Sequence, residues 1–383
     1  MSDMSDGLII FCCSSGNVTG DTYVGGLVGN IAYSPYRRTI AYCYSTADVS
    51  GRYAAGLVSH VLQGEIFRCY SAGRVSGSYA AGLIYYCFPL AQGCFWDVES
   101  SGQPRSGGGT GKTTAEMQDP NTFIEAGWDF VGEPDGPSDI WAIPIGGGYP
   151  ILWWQLSPLP ELPFSAGTGE LDNPYLISAA SQLNGIGYNP RLMSSYFKLV
   201  DDIDLSGMDF FIIGTDPFFP FAGVFDGDGH TISGFTCDST DEDKVGLFSR
   251  VDGEDANIRN LRLLDSKVDV PAGKHVGPLV GELERGTITN CHVEGGSVMA
   301  DDYVGGLVGY QHTGTVISNC YSSSNISGTD HVGGLVGKNI RGTINNCYVE
   351  GSVSGNGEVG GLVGRNRDRT CFAVHRQSFN GAD

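Results

Sequence analysis

Several stretches of this 383-residue chain carry residue types that could do chemistry. Gly107-Gly108-Gly109-Thr110-Gly111-Lys112-Thr113 has the glycines, lysine and threonine of a phosphate-cradling loop. That pattern needs a glycine five residues before Gly111, where Ser106 stands, and no parallel-sheet strand leads in, so the reading is an ordinary loop. Asp201, Asp202 and Asp204 form one acidic run, and Asp226-Gly227-Asp228-Gly229 another. Alternating aspartates can supply oxygens to calcium, but neither run is closed by a glutamate at the required distance, and Asp-Gly pairs are common turn chemistry. His230 follows the second run. A lyase or hydrolase needs a base, an acid and a cation or paired carboxylates on one face, and no such set assembles around it. No catalytic, cofactor-binding or metal-ligating residue is therefore assigned, and no cofactor is expected.

The cysteines need a separate account. Cys13, Cys43, Cys69 and Cys94 recur at intervals of 30, 26 and 25, and Cys291, Cys320 and Cys347 at 29 and 27. The tight Cys-x-x-Cys pairs of zinc sites are absent. The regular interval favours a ladder of free thiols packed as small hydrophobes.

That interval belongs to a repeat. Gly25-Gly26-Leu27-Val28-Gly29 recurs as Ala55-Gly56-Leu57-Val58, Ala81-Gly82-Leu83-Ile84, Gly246-Leu247-Phe248, Gly277-Pro278-Leu279-Val280-Gly281, Gly305-Gly306-Leu307-Val308-Gly309, Gly333-Gly334-Leu335-Val336-Gly337 and Gly360-Gly361-Leu362-Val363-Gly364. A second phrase trails each leucine, as in Ile40-Ala41-Tyr42-Cys43-Tyr44 and Ile317-Ser318-Asn319-Cys320-Tyr321. A third completes the unit, as in Asp48-Val49-Ser50-Gly51 and Asn325-Ile326-Ser327-Gly328. One such unit cannot bury an apolar face alone, whereas stacked units share a core. Three short β-prone stretches per period predict a parallel β-helix. A leucine-rich horseshoe would need denser leucine and a helix or Asn-Leu turn in each repeat. Within the second phrase Ile and Cys are three apart, so both can point inward only if the chain turns a corner between them. Asn290, Asn319 and Asn346, just before the cysteine, are the expected corners.

These copies resemble the GLUG repeat, named for Gly-Leu-any hydrophobic-Gly, over about 15–85 and 245–365. The resemblance implies a non-catalytic scaffold of a bacterial secreted or cell-surface protein, made for adhesion or glycan contact. Its partners would be a polysaccharide, a host or neighbouring cell surface, and further repeats of the array. The alternative is a polysaccharide-degrading lyase or hydrolase on a β-helix. Such an enzyme would show charged residues at matching positions of neighbouring coils, where Ser45, Ser71, Ser322 and Thr343 are typical here.

The rest of the chain divides around these blocks. Residues 1–95 read as the tail of one solenoid and 96–156 as a Trp-rich capping segment. Trp128, Trp141, Trp153 and Trp154 are expected to gather with Phe130 and Tyr149 over the open end of that solenoid. Thr113 to Glu116 reads as a capping box, and Asn121 as the cap of a second short helix. Residues 157–166 read as a Pro-rich linker, and 167–383 as a second solenoid with its own N-terminal cap. The pattern breaks after Leu362, with only Cys371-Phe372 resembling the second phrase. No basic, hydrophobic export signal begins the chain, which favours a fragment of a longer array. The net charge of −21 argues against nucleic acid. No apolar run is long enough to span a membrane.

Overall fold

The computed structural model describes residues 7–31, 38–87, 91–131, 140–156, 162–164, 166–187, 189–216 and 218–367. Most of the expected linker lies outside these residues, as do Cys371 and Phe372. The chain forms two compact units, Met1–Pro160 and Glu161–Asp383. Each is a parallel β-solenoid, and the protein is all-β. Among the described residues no helix is long and apolar enough to cross a membrane.

Equivalent residues stack coil upon coil. In the first unit Ile9 pairs with Ile40, Ile40 with Ile66 and Ile66 with Ala91, while Val58 lies between Val28 and Ile84. In the second, Ile258, Ile288, Ile317 and Ile344 make one row, and Val280, Val308, Val336 and Val363 another. The second unit has the three parallel sheets that three stretches per period predict. The first breaks each coil into five shorter strands. Its extra breaks come between Val61 and Glu65, where the second unit runs Phe248–Arg259 and Val280–Thr289 straight through, and at Gly20, Gly51 and Gly77, where it runs Lys267–Val276 and Ser297–Gly305.

The corner before each cysteine is left-handed. Asn290, Asn319 and Asn346 have φ of 54°, 55° and 52°. Their amides form part of a ladder: Asn290 Nδ2 donates to Asn260 Oδ1 at 3.0 Å, and Asn346 Nδ2 to Asn319 Oδ1 at 3.3 Å. In the first unit Tyr42, Arg68 and Gly93 occupy the same corner. The kink lets Ile and Cys both face the core. All nine cysteines whose side chains are described are free thiols, and Cys43, Cys69, Cys94, Cys291 and Cys320 are buried. Burial pushes the Cys69 thiol well above its ordinary value.

The glycines of the GLUG phrase are required by close approach. A β-carbon on Gly306 would run into the Gly334 carbonyl oxygen of the next coil and into Ser322 Oγ across the coil. One on Gly305 would strike the Val308 carbonyl oxygen, and one on Gly309 the backbone at His275 and Val276. The coil is therefore flat at this corner, and Leu307 and Val308 are fully buried beside it.

Within the 96–156 segment, Trp128 and Trp141 do not cover the end of the first solenoid. Trp128 and Trp141, with ring centroids 4.3 Å apart, lie against the outward face of Tyr44 and Tyr70. Tyr44 Oη donates to Gln155 at 2.8 Å, and Tyr70 Oη to the Pro150 carbonyl at 2.6 Å. The stacked tyrosines form an apolar side wall wide enough to bury the tryptophans, and Trp154 stays outside, 45% exposed. The end is covered instead by the Gly-rich loop. Gly107 N–H donates to Ile84 at 2.6 Å, and Thr110–Lys112 pairs with Phe95–Asp97. Thr113 caps Thr114–Met117 with the expected capping box. The following helix is capped by Asp119 rather than Asn121, because Pro120 already has the φ of a first helical residue.

Two outcomes test this packing. Gly306→Ala is expected to destabilise the protein by about 2 kcal/mol or more, since backbone must move to admit the methyl group. Gly361→Ala, at the same motif position in the last described coil with nothing near its added β-carbon, is expected to be almost neutral. Equal melting temperatures for the two variants would contradict the account. Thiol titration after denaturation without reductant should recover essentially all the cysteines, and a large shortfall would indicate disulfides.

Candidate functional site

The residues expected to be chemically interesting are engaged in holding the coils. His230 Nδ1 lies 3.2 Å from Asp202 Oδ1, which also accepts from Thr231 N–H at 2.8 Å. Asp226 accepts from Arg259 at 2.8 Å and Asn260 at 3.0 Å, and Asp228 pairs with Lys198 at 2.9 Å. Asp201 and Asp204 cap the backbone at Asp202 and Ser206. Burial raises the Asp226 carboxyl, but Asn260, the Asp228 amide and Arg259 outweigh it and hold the group low. In Gly107–Thr113 the Gly107 and Thr110 amides are spent on neighbouring strands, and Lys112 pairs with Glu116.

The matched polar positions are not where the sequence placed them. Ser45, Ser71 and Ser322 are at most 1% exposed. After the corner the cysteine faces inward, the tyrosine outward and the serine inward again, opposite the second GLUG glycine. Of the four, Thr343 alone is exposed.

The outward rows lie instead on either side of each GLUG phrase. One holds the residue before the phrase's first valine or its equivalent: Tyr23, Tyr53 and Tyr79 in the first unit, and Lys244, His275, Tyr303, His331 and Glu358 in the second. The other holds the residue just after the phrase: Asn30, His60 and Tyr86, then Arg250, Glu282, Tyr310, Lys338 and Arg365, paired in register. These positions are readable in the sequence as the variable flanks of an invariant phrase.

In the first unit the rows are aromatic. Tyr53 stacks between Tyr23 and Tyr79 at 5.3 and 5.1 Å, His60 stacks on Tyr86 at 4.7 Å, and Tyr23 meets His60 across the rows at 4.9 Å. Tyr23, Tyr79 and Tyr86 are nearly half exposed. In the second unit Lys244, His275, Tyr303 and His331 all sit at left-handed corners, with φ between 50° and 60°. Each such residue costs about 1 kcal/mol or more, and strain of this kind gathers at functional sites.

The second unit does bring together groups that the sequence left scattered. The side chain of Glu282 is buried, accepts from His312 Nε2 at 2.8 Å, is ion-paired with Lys244 Nζ at 2.7 Å, and has His275 Nδ1 at 3.7 Å. Burial raises its carboxyl, but His275, His312 and Lys244 together hold it far below the ordinary carboxylate range. Asp302, Asp330 and His331 have ligand atoms within 4.8 Å of one another, a set that could hold a metal ion. However, Arg365 Nη1 is 2.9 Å from His331 Nε2. An arginine can only donate, so Nε2 accepts and Nδ1 carries the proton given to Asp302 at 2.6 Å. The lone pair a metal needs is thus occupied. Lys338 stands apart: its ammonium lies 4.4 Å from the Tyr303 ring centre and 5.0 Å from that of Tyr310. Burial, then Arg365 and Arg367, push its pKa down.

The GLUG motif is recognised at residues 302–327 and 328–354. The chain thus carries GLUG-motif repeats. Over 143 aligned positions that cover 34% of the chain, it is 34% identical to 2% of halomucin from Haloquadratum walsbyi. Over 137 aligned positions that also cover 34% of the chain, it is 39% identical to 16% of a protein from Evansella cellulosilytica described as a Gly-rich membrane protein. The chain therefore spans a small part of either relative. A solved structure from Bacteroides ovatus, described as an immunoglobulin A1 protease, shares 29% identity over 54% of this chain and 66% of its own, with a TM-score of 0.43.

The Glu282 network carries a pH signature. Its carboxyl is depressed in the folded state, so its stabilisation is complete above the unfolded value near 4.5 and is lost as pH falls below it. Glu282→Gln should cost about 3 kcal/mol at pH 7, and the gap from the parent should narrow by pH 3 in denaturant titrations. A gap that does not change with pH would contradict the network.

Proposed function

We propose that this chain is part of the repeat scaffold of a secreted or cell-surface protein, and that its GLUG faces contact glycans. The observation that carries the reading is the in-register aromatic rows of the first unit, Tyr23, Tyr53 and Tyr79 beside His60 and Tyr86, which remain partly exposed although packing could have covered them. Amphipathic rings of this kind suit a ligand with both apolar faces and hydroxyls. The names of its relatives, a halomucin and a Gly-rich membrane protein, agree with a place at the cell surface.

A second reading, a polysaccharide-cleaving enzyme, has one observation in its favour: Glu282, His312, His275 and Lys244 share a face. A carboxylate held so far below its ordinary range has no proton to give and is a poor base near neutral pH, which weighs against proton transfer.

The test is incubation of the chain with neutral and acidic polysaccharides, following both retention and the appearance of new reducing or unsaturated ends. Retention without cleavage, weakened roughly tenfold by the double change Tyr53→Ala and Tyr79→Ala, is the expected result, equivalent to about 1.4 kcal/mol. New chain ends abolished by Glu282→Gln or His230→Ala would establish the enzyme instead.

A further inference from the structure

Among the described residues of the second unit, Lys338 is a buried cation outside any ion pair. Lys338 is only 9% exposed, and among the described residues it has no ion-pair partner. Carboxylates are not scarce, since the chain has 43 acidic residues against 22 basic. Other cations of the same unit use them: Lys198, Lys244, Arg250, Arg259, Arg262 and Arg285 each lie within 3.2 Å of a carboxylate oxygen. A buried lysine left unpaired carries a desolvation penalty that, in the neighbouring pairs, attraction to a carboxylate offsets.

Its surroundings add charge of the same sign. Arg365 follows Lys338 in the same outward row, and Arg367 is close enough to act on it electrostatically. Asp302 and Glu358 also face the group. Both are already engaged, Asp302 by His331 at 2.6 Å and Glu358 by Arg365 at 3.5 Å. The ammonium itself lies over the rings of Tyr303 and Tyr310, which border the place where an anion would sit.

We infer that Lys338, Arg365 and Arg367 form a subsite for the carboxylate of an acidic sugar within a glycan. The inference rests on the glycan-contact reading and narrows it to acidic glycans at this unit. A planar carboxylate matches the fork of Arg367, since Arg365 already contacts His331 and Glu358, beside the point charge of Lys338. A sugar ring can lie on the rim that Tyr310 and His312 make, with centroids 4.6 Å apart. A densely charged polyanion fits less well, because the whole chain carries −21 and two carboxylates border the subsite.

The experiment is retention of the full chain by polygalacturonate and by its methyl-esterified form, which has the same backbone without the charge, near physiological salt. Poly-glutamate and single-stranded DNA serve as non-sugar polyanions. The parent should bind the acid form at least tenfold more tightly than the ester. Lys338→Met, which keeps a side chain of similar length without the charge, should abolish that preference without lowering the melting temperature, and Arg367→Gln should weaken it. Equal binding of acid and ester, an unchanged preference in Lys338→Met, or equal retention of poly-glutamate or DNA would overturn the inference. If neutral glycans are still retained through Tyr53 and Tyr79, the broader reading survives that failure. If no glycan of either kind is retained, both fall.

Discussion

Backbone meets backbone at the GLUG corner, and the rest of each coil is arranged around that contact. Where Gly305, Gly306 and Gly309 lie, neighbouring coils and the two sides of one coil approach so closely that no β-carbon fits. This closeness lets Leu307 and Val308 fill a thin core and lets every strand pair with its equivalent in the coils above and below. Of these glycines the middle one recurs most strictly, as Gly26, Gly56, Gly82, Gly306, Gly334 and Gly361, while Ala55 and Ala81 take the first position and Ser59, Tyr85 and Ser249 the last. The flanks of the phrase point outward, so they are free to vary while staying aligned.

That freedom is used differently in the two units. The first lines its flanks with tyrosine and histidine, and the second with alternating charge, histidine and tyrosine. A second outward row, the residue after each cysteine, shows the same divergence. Tyr44 and Tyr70 in the first unit are covered by Trp128 and Trp141, whereas Tyr321 stacks between His292 and Tyr348 in the second, with Tyr348 51% exposed. Identical scaffolding thus presents chemically distinct faces, which is the property expected of a recognition surface built from repeats.

Much of this was legible in the amino acids. The period, the parallel solenoid and the left-handed corner before each cysteine follow from spacing and from the inability of Ile and Cys to share a face along a straight strand. The orientation of Ser45, Ser71 and Ser322 was harder, because it depends on how alternation resumes after that corner. The place of Trp128 and Trp141 depended on an outward tyrosine wall that is not apparent until coils are stacked. The rows holding Glu282 and Lys338 escaped notice because they are variable residues bordering an invariant phrase, and their neighbours lie about 28 residues away in sequence rather than nearby.

The central claim is that the GLUG corner fixes register and so lines up its variable flanks. Proximity cross-linking tests it directly. Tyr310 and Lys338 are paired and face outward, while Asn339 is paired with Gln311 and buried. With equivalent residues about 4.8 Å apart, the double variant Tyr310→Cys and Lys338→Cys should be joined rapidly by a short bis-thiol reagent, as read by peptide mapping. The offset pair Tyr310→Cys and Asn339→Cys should react slowly if at all. Faster cross-linking of the offset pair would mean that the flanks are not aligned by the repeat, and would contradict the account.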